Sequence, residues 1–249
     1  MLEKVTLLNI LGEEDKALQI LLNYKFHPWE GGEGKVSGQY LFSHIEIGKK
    51  AIFSCDYNLA IEILSACFDF PENLGEGKLH GTQENDINYW MGCAYEVKNE
   101  IQNAKKFWRK AAEGLSEPTD AMYYNDQQPD KILYQGLALL KLGEDDEAKS
   151  KFNSLIDYGK DHISDNVIMD YFAVSLPDLL IFEEDLNKRN LIHCNYLIAL
   201  GHLGLGNIKE AVNFFDEVLS ANLYHIGAII HRKMALTYTE SAFFKKLQV

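Results

Sequence analysis

The sequence predicts an all-α solenoid built from about five helical hairpins. Three observations predict it. An alanine followed four positions later by a large apolar residue recurs five times, at Ala17…Leu21, Ala60…Leu64, Ala104…Trp108, Ala148…Phe152 and Ala211…Phe215. The first four alanines are spaced by 43, 44 and 44 positions, and the last interval is 63. A break stands five residues before each alanine, at Gly12, Cys55, Asn99, Gly143 and Gly206. A generic bundle has no reason to keep such a period, whereas a stacked array does.

Each unit reads as helix A, tight turn, helix B. Glycine ends a helix by taking the left-handed conformation, and acidic residues suit the first turn of the next helix. Gly143-Glu144-Asp145-Asp146 shows both features. The expected hairpins span about 1–26, 38–71, 85–115, 129–158 and 190–222, in one domain covering 1–249. An irregular insert is expected at about 163–190, and a capping helix or pair of helices at about 226–249.

The spacing resembles the tetratricopeptide repeat. Its signature is a small residue, x2 and a bulky residue in helix A, then Ala-x3-aromatic-x2-small in helix B. The third unit carries Gly92-x2-Tyr95 and Ala104-x3-Trp108-x2-Ala111. The fourth carries Gly136-x2-Leu139 and Ala148-x3-Phe152-x2-Leu155. The second carries Gly48-x2-Ala51 and Ala60-x3-Leu64-x2-Cys67, with Pro71 after helix B. The end units are degenerate, with Tyr24 in place of the last small residue in one and Ala199 in place of glycine in the other. The resemblance implies a right-handed α-α superhelix. It also implies a groove, lined by helix A, that binds a peptide or partner domain. Candidate groove residues are Asn88, Tyr95, Tyr134 and Asn195; the plainer alternative is that they pack inside.

Composition narrows the function. The chain holds 24 Lys and Arg against 37 Asp and Glu, a formal net charge of −13. Such a chain repels phosphate backbones, so nucleic acid is not an expected partner. The short basic cluster of Lys105, Lys106, Arg109 and Lys110 reads as a solvated helix face. Cys55, Cys67, Cys93 and Cys194 form no C-x-x-C pair, which leaves zinc and redox motifs unsupported and suggests reduced thiols in a cytoplasmic protein. The first residues lack a basic n-region and a cleavage site, and no apolar run is long enough to span a membrane. Met1 opens directly in helix A. Solenoid ends need covering, so the sequence is expected to be part of a longer protein or to pair at this end. No metal or cofactor motif is present.

A standard tetratricopeptide unit is about 34 residues long. The surplus here lies between helix B and the next helix A. Such connectors emerge on one edge, where insertions often form a binding face. The first two connectors share Gly32-Glu33-Gly34-Lys35 and Gly75-Glu76-Gly77-Lys78, in register with the array. Their glycines permit positive φ, and amides at the following helix N-terminus attract an anion or polar group. The connectors collect His27, Trp29, Glu30, Glu33, Lys35, Glu76, Lys78, His80, Tyr123, Tyr124, Asp126, Tyr171 and Asp178. Aromatics with carboxylates and lysine are what a sugar site uses, and a carboxylate pair among Glu30, Glu33, Glu76, Asp126 and Asp178 would suit glycoside hydrolysis. Each also has a structural reading: Trp29 stapling its own loop, the histidines hydrogen-bonded in place, the glycine loops stacked on one another. The segments 27–35 and 170–178 also resemble loops in large bacterial proteins that place a β-sandwich domain ahead of such repeats. Two functions are therefore expected: a non-catalytic scaffold that binds a protein or peptide, basic if charge decides, and, as the alternative, a carbohydrate-binding or glycoside-processing module.

Overall fold

The computed structural model describes residues 1–29, 31–78, 81–121, 126–167 and 185–240. The five predicted breaks all adopt the left-handed conformation: φ is 79° at Gly12, 64° at Cys55, 64° at Asn99, 85° at Gly143 and 76° at Gly206. The same two hydrogen bonds close every turn. At the first, Gly12 N–H donates to Asn9 C=O and Glu13 N–H donates to Leu8 C=O, at 3.1 and 2.9 Å. At the fourth, Gly143 donates to Leu140 and Glu144 to Leu139, at 3.1 and 2.9 Å. This pairing satisfies carbonyls that the helix end would otherwise orphan.

The turns separate α1 (Leu2–Ile10) from α2 (Glu14–Asn23), α3 (Lys35–Phe53) from α4 (Tyr57–Ser65), and α5 (Asn85–Val97) from α6 (Ile101–Ala112). They also separate α7 (Pro129–Leu142) from α8 (Asp145–His162), and α9 (Leu186–Gly204) from α10 (Ile208–Ala221). A last helix, α11 (Ile226–Glu240), follows. The described residues form no strand, and the fold is an all-α helical repeat. Helix α3 begins at Lys35 and runs through Gly38, where the sequence reading starts the second hairpin. The chain divides into two compact units, Met1–Ala111 and Ala112–Val249.

Inside each hairpin one contact repeats. A glycine of helix A lies beneath the bulky residue that follows the motif alanine. A Cβ on Gly48 would stand 2.7 Å from Leu64, one on Gly92 2.3 Å from Trp108, and one on Gly136 2.3 Å from Phe152. The paired positions are sixteen residues apart in all three hairpins. The same spacing joins Val5 to Leu21 and Ala199 to Phe215, and all four of those side chains are fully buried. The five motif alanines are fully buried too, so helices A and B approach closely along a side of small residues. The degenerate Tyr24 lies outside this core: it is exposed, and its extended backbone ends α2.

Within unit 1, α3 lies against α1 and α5, while α2 packs on α3 and α4 on α5. Within unit 2, α9 lies against α7, α8, α10 and α11. Helices A thus neighbour one another inside each unit and form a continuous layer.

Two glycines of unit 1 make opposite predictions. Gly92→Ala drives a methyl into the rigid indole of Trp108 and is expected to cost about 2 kcal/mol. Gly38→Ala meets nothing within 4 Å and is expected to stabilise α3 by about 0.5–1 kcal/mol. Urea denaturation followed by circular dichroism checks both signs.

Candidate functional site

In unit 1 the first two connectors are joined by specific hydrogen bonds. Phe26 N–H donates to Asn73 C=O at 2.8 Å. Asn73 Nδ2 donates to Leu21 C=O at 2.7 Å and Tyr24 C=O at 2.8 Å, carbonyls at the end of α2. The carboxylate of Glu76 sits on the N-terminus of α3. It accepts from Gly34 N at 2.7 Å, Val36 N at 3.0 Å, Ser37 N at 3.3 Å and Ser37 Oγ at 3.0 Å. The anion expected at this helix start is therefore supplied by the chain itself. Gly75 permits the approach: its φ is 75°, and a Cβ there would stand 2.8 Å from Phe26 O.

Lys78 and Trp29 are also engaged by the fold. Lys78 Nζ donates to Phe68 C=O at 3.0 Å, pairs with Glu84 and lies 5.6 Å from the Phe68 ring centroid. Trp29 is half exposed and its indole covers Gly32, whose N–H donates to Trp29 C=O at 3.0 Å. His27, Glu33 and Lys35 are exposed. Asp126 is half-buried, and its carbonyl accepts from Gln128 Nε2 at 3.2 Å. Glu30, His80, Tyr123, Tyr124, Tyr171 and Asp178 lie outside the described residues.

The helix-A layer of unit 1 holds polar side chains of which the sequence reading named Asn88 but not Asn9, Gln39, Ser43, Glu46 or Lys49. Asn9 Nδ2 donates to Gln39 Oε1 at 2.8 Å, and Ser43 Oγ donates to Asn9 Oδ1 at 2.9 Å. Lys49 pairs with Glu46, both nearly buried, and the ammonium stands 5.1 Å from the Trp90 ring. Asn88 is 4% exposed; its Nδ2 donates to Glu84 C=O at 2.9 Å, while its Oδ1 has no hydrogen-bond partner among the described residues. His44 occupies the equivalent helix-A position in the second hairpin, four residues before the small residue. Burial lowers its pKa from the usual imidazole value. Tyr95 stacks on Phe107 with centroids 5.4 Å apart. The signal available in sequence was that Glu46 and Lys49 flank Gly48, on a helix face otherwise given to core residues.

In unit 2 the layer is aromatic and histidine-rich. Tyr134 is buried, 5.7 Å from the His231 ring. Asn195 is 6% exposed, and its Oδ1 likewise lacks a partner among the described residues. The Tyr196 hydroxyl lies 3.1 Å from His231 Nδ1, which donates to Gly227 C=O at 2.7 Å. The start of α9 holds the third connector, with His193 Nε2 donating to Thr119 C=O at 2.7 Å and Arg189 Nη2 donating to Ala121 C=O at 3.1 Å. His225 precedes α11, and its Nδ1 accepts from Ala228 N–H at 3.1 Å as an N-terminal cap. Burial, with the nearby His193 and His231, lowers its pKa to about 4.

Among the described residues no cluster of three or more His, Cys, Asp or Glu is placed to hold a metal, and no helix is long and apolar enough to cross a membrane. A tetratricopeptide repeat family model matches residues 132–158, the body of α7 and α8. Among solved structures, the chain is similar to one described as the crystal structure of YrrB, a TPR protein with an unusual peptide-binding site. The two are 14% identical, the match covers 92% of this chain and 88% of that one, and the TM-score is 0.31. The chain is an all-α helical repeat protein whose fourth hairpin matches a tetratricopeptide repeat.

Two predictions follow from these contacts. Glu76→Ala removes four acceptor contacts and a charge from the start of α3. It is expected to destabilise unit 1 by about 2 kcal/mol and to speed hydrogen exchange at Val36 and Ser37. His225 sets a pH dependence. Above the ordinary imidazole value it is neutral in both folded and unfolded chains, and the cap on α11 is intact. As pH falls from 6.5 towards 4 the unfolded chain takes the proton first, so stability is lost by roughly 3 kcal/mol. Unfolding midpoints across that range should fall, and His225→Asn, which caps without titrating, should flatten the slope.

Proposed function

We propose that the helix-A layer of unit 1 is the working surface of a non-catalytic protein-interaction module, which takes an extended segment of a partner. One observation supports this most. A fold gains little from a buried ion pair and pays for an unpartnered buried carbonyl oxygen. Unit 1 keeps both, in the Glu46–Lys49 pair and in Asn88, on the layer that tetratricopeptide arrays use for binding. A peptide backbone supplies the donors and acceptors that such a layer leaves unused.

The carbohydrate reading has no observation in its favour. The Glu76 carboxylate is committed to α3, Lys78 to Glu84 and Phe68, and Trp29 lies on its own loop.

The test is selection from a displayed peptide library, followed by Kd measurement on the selected sequence. Asn88→Ala and the double variant Glu46→Leu, Lys49→Met, which removes both charges of the buried pair together, are each expected to weaken binding by about tenfold, or about 1.4 kcal/mol, with little change in the thermal midpoint. Undiminished affinity in both variants would remove this surface from consideration.

A further inference from the structure

A second surface, on the first hairpin beside its core contacts, goes beyond the helix-A reading. Helix α1 buries Val5 and Asn9, and α2 buries Ala17, Leu18 and Leu21. The two helices also line an open cleft of about 670 Å³, with Met1, Lys4, Lys16, Gln19, Asn23 and Tyr24 around Leu8 and Ile20, which pack against the core beneath. The floor is apolar: Leu8 and Ile20 are half-buried, and Met1 and Tyr24 are exposed. Leu7 in α1 and Leu11 just after it are exposed as well. Large apolar side chains gathered on one hairpin mark an interaction site rather than scattered surface residues.

Charge identifies the occupant. The ionisable side chains lining the cleft are Lys4 and Lys16, with no carboxylate among the lining residues, on a chain whose net charge is −13. Lys16 reaches Glu13 at the rim and keeps most of its side chain in solvent. A cleft between two antiparallel helices accepts the ridge of a third helix. An apolar ridge fills the floor, and acidic flanks meet the two lysines. A second copy of this chain meets long-range repulsion between two strongly acidic molecules.

We propose that the cleft between α1 and α2 docks an amphipathic helix of a partner protein, apolar on one face and acidic along its flanks. The probe is a fluorescent helical peptide with a leucine face and glutamate flanks, beside a twin with lysine flanks, each titrated against the full chain by anisotropy. The glutamate peptide is expected to bind, and the double variant Lys4→Glu, Lys16→Glu to weaken it by at least about tenfold while strengthening the lysine twin. Because those side chains are exposed, the variant folds normally. Ile20→Asp, checked for folding by circular dichroism, is expected to abolish binding of both peptides. Asn88→Ala should leave the glutamate peptide bound; loss of binding in that variant places the peptide in the helix-A layer and overturns the docking site. Equal binding of the two twins also overturns it. So does failure of either to bind, or a concentration-dependent dimer in sedimentation that Ile20→Asp dissolves.

Discussion

The structure depends on one contact, repeated: a small residue of helix A pressed against a bulky residue of helix B, sixteen positions later. In the three central hairpins it is glycine against leucine, tryptophan or phenylalanine, so close that a methyl group would overlap the partner ring or side chain. The sequence separation is constant, so the same two helix positions meet in each of these three hairpins. The hairpins can then repeat with the same neighbour surfaces, and helices A fall beside helices A within each unit. The left-handed turn between them serves this contact, since it brings the chain back at the residue count the spacing needs.

Those two features were legible in the sequence for a physical reason. Both are local and both demand a residue type: close approach demands glycine or alanine, and positive φ favours glycine. Cys55 and Asn99 show the limit of that logic. They take the left-handed conformation without being glycine, and the array's phase located them where residue preference did not. The degenerate Tyr24 was legible as an exception, and its exposure on an extended backbone explains why the motif tolerates it.

The site was much less legible. Glu76 has the residue type of a ligand group and sits in a loop of the right composition, yet its partners are backbone amides about forty positions upstream. No spacing rule reports a carboxylate used as a cap from outside its own helix. The Glu46–Lys49 pair failed to register for the reverse reason: opposite charges three apart on a helix read as surface, whereas here both are buried and Lys49 lies over Trp90 of α5. The groove residues chosen by position fared unevenly in character. Asn88 and Asn195 keep an unused oxygen, while Tyr95 and Tyr134 are occupied by ring contacts with Phe107 and His231.

The connector that follows α4 reaches back to bind both the exit of α2 and the entry of α3. Long loops in a solenoid are ordinarily passive, and stacked repeats communicate only through their helix faces. Here a strap closes over the junction between the first two hairpins from a point later in the chain. During synthesis that junction stays incomplete until residue 76 has emerged, so the first two hairpins reach their final stability together rather than in succession. Kinetically, the opening of α3 at its first turn is tied to release of the strap, and the junction behaves as one cooperative element instead of two independent repeats.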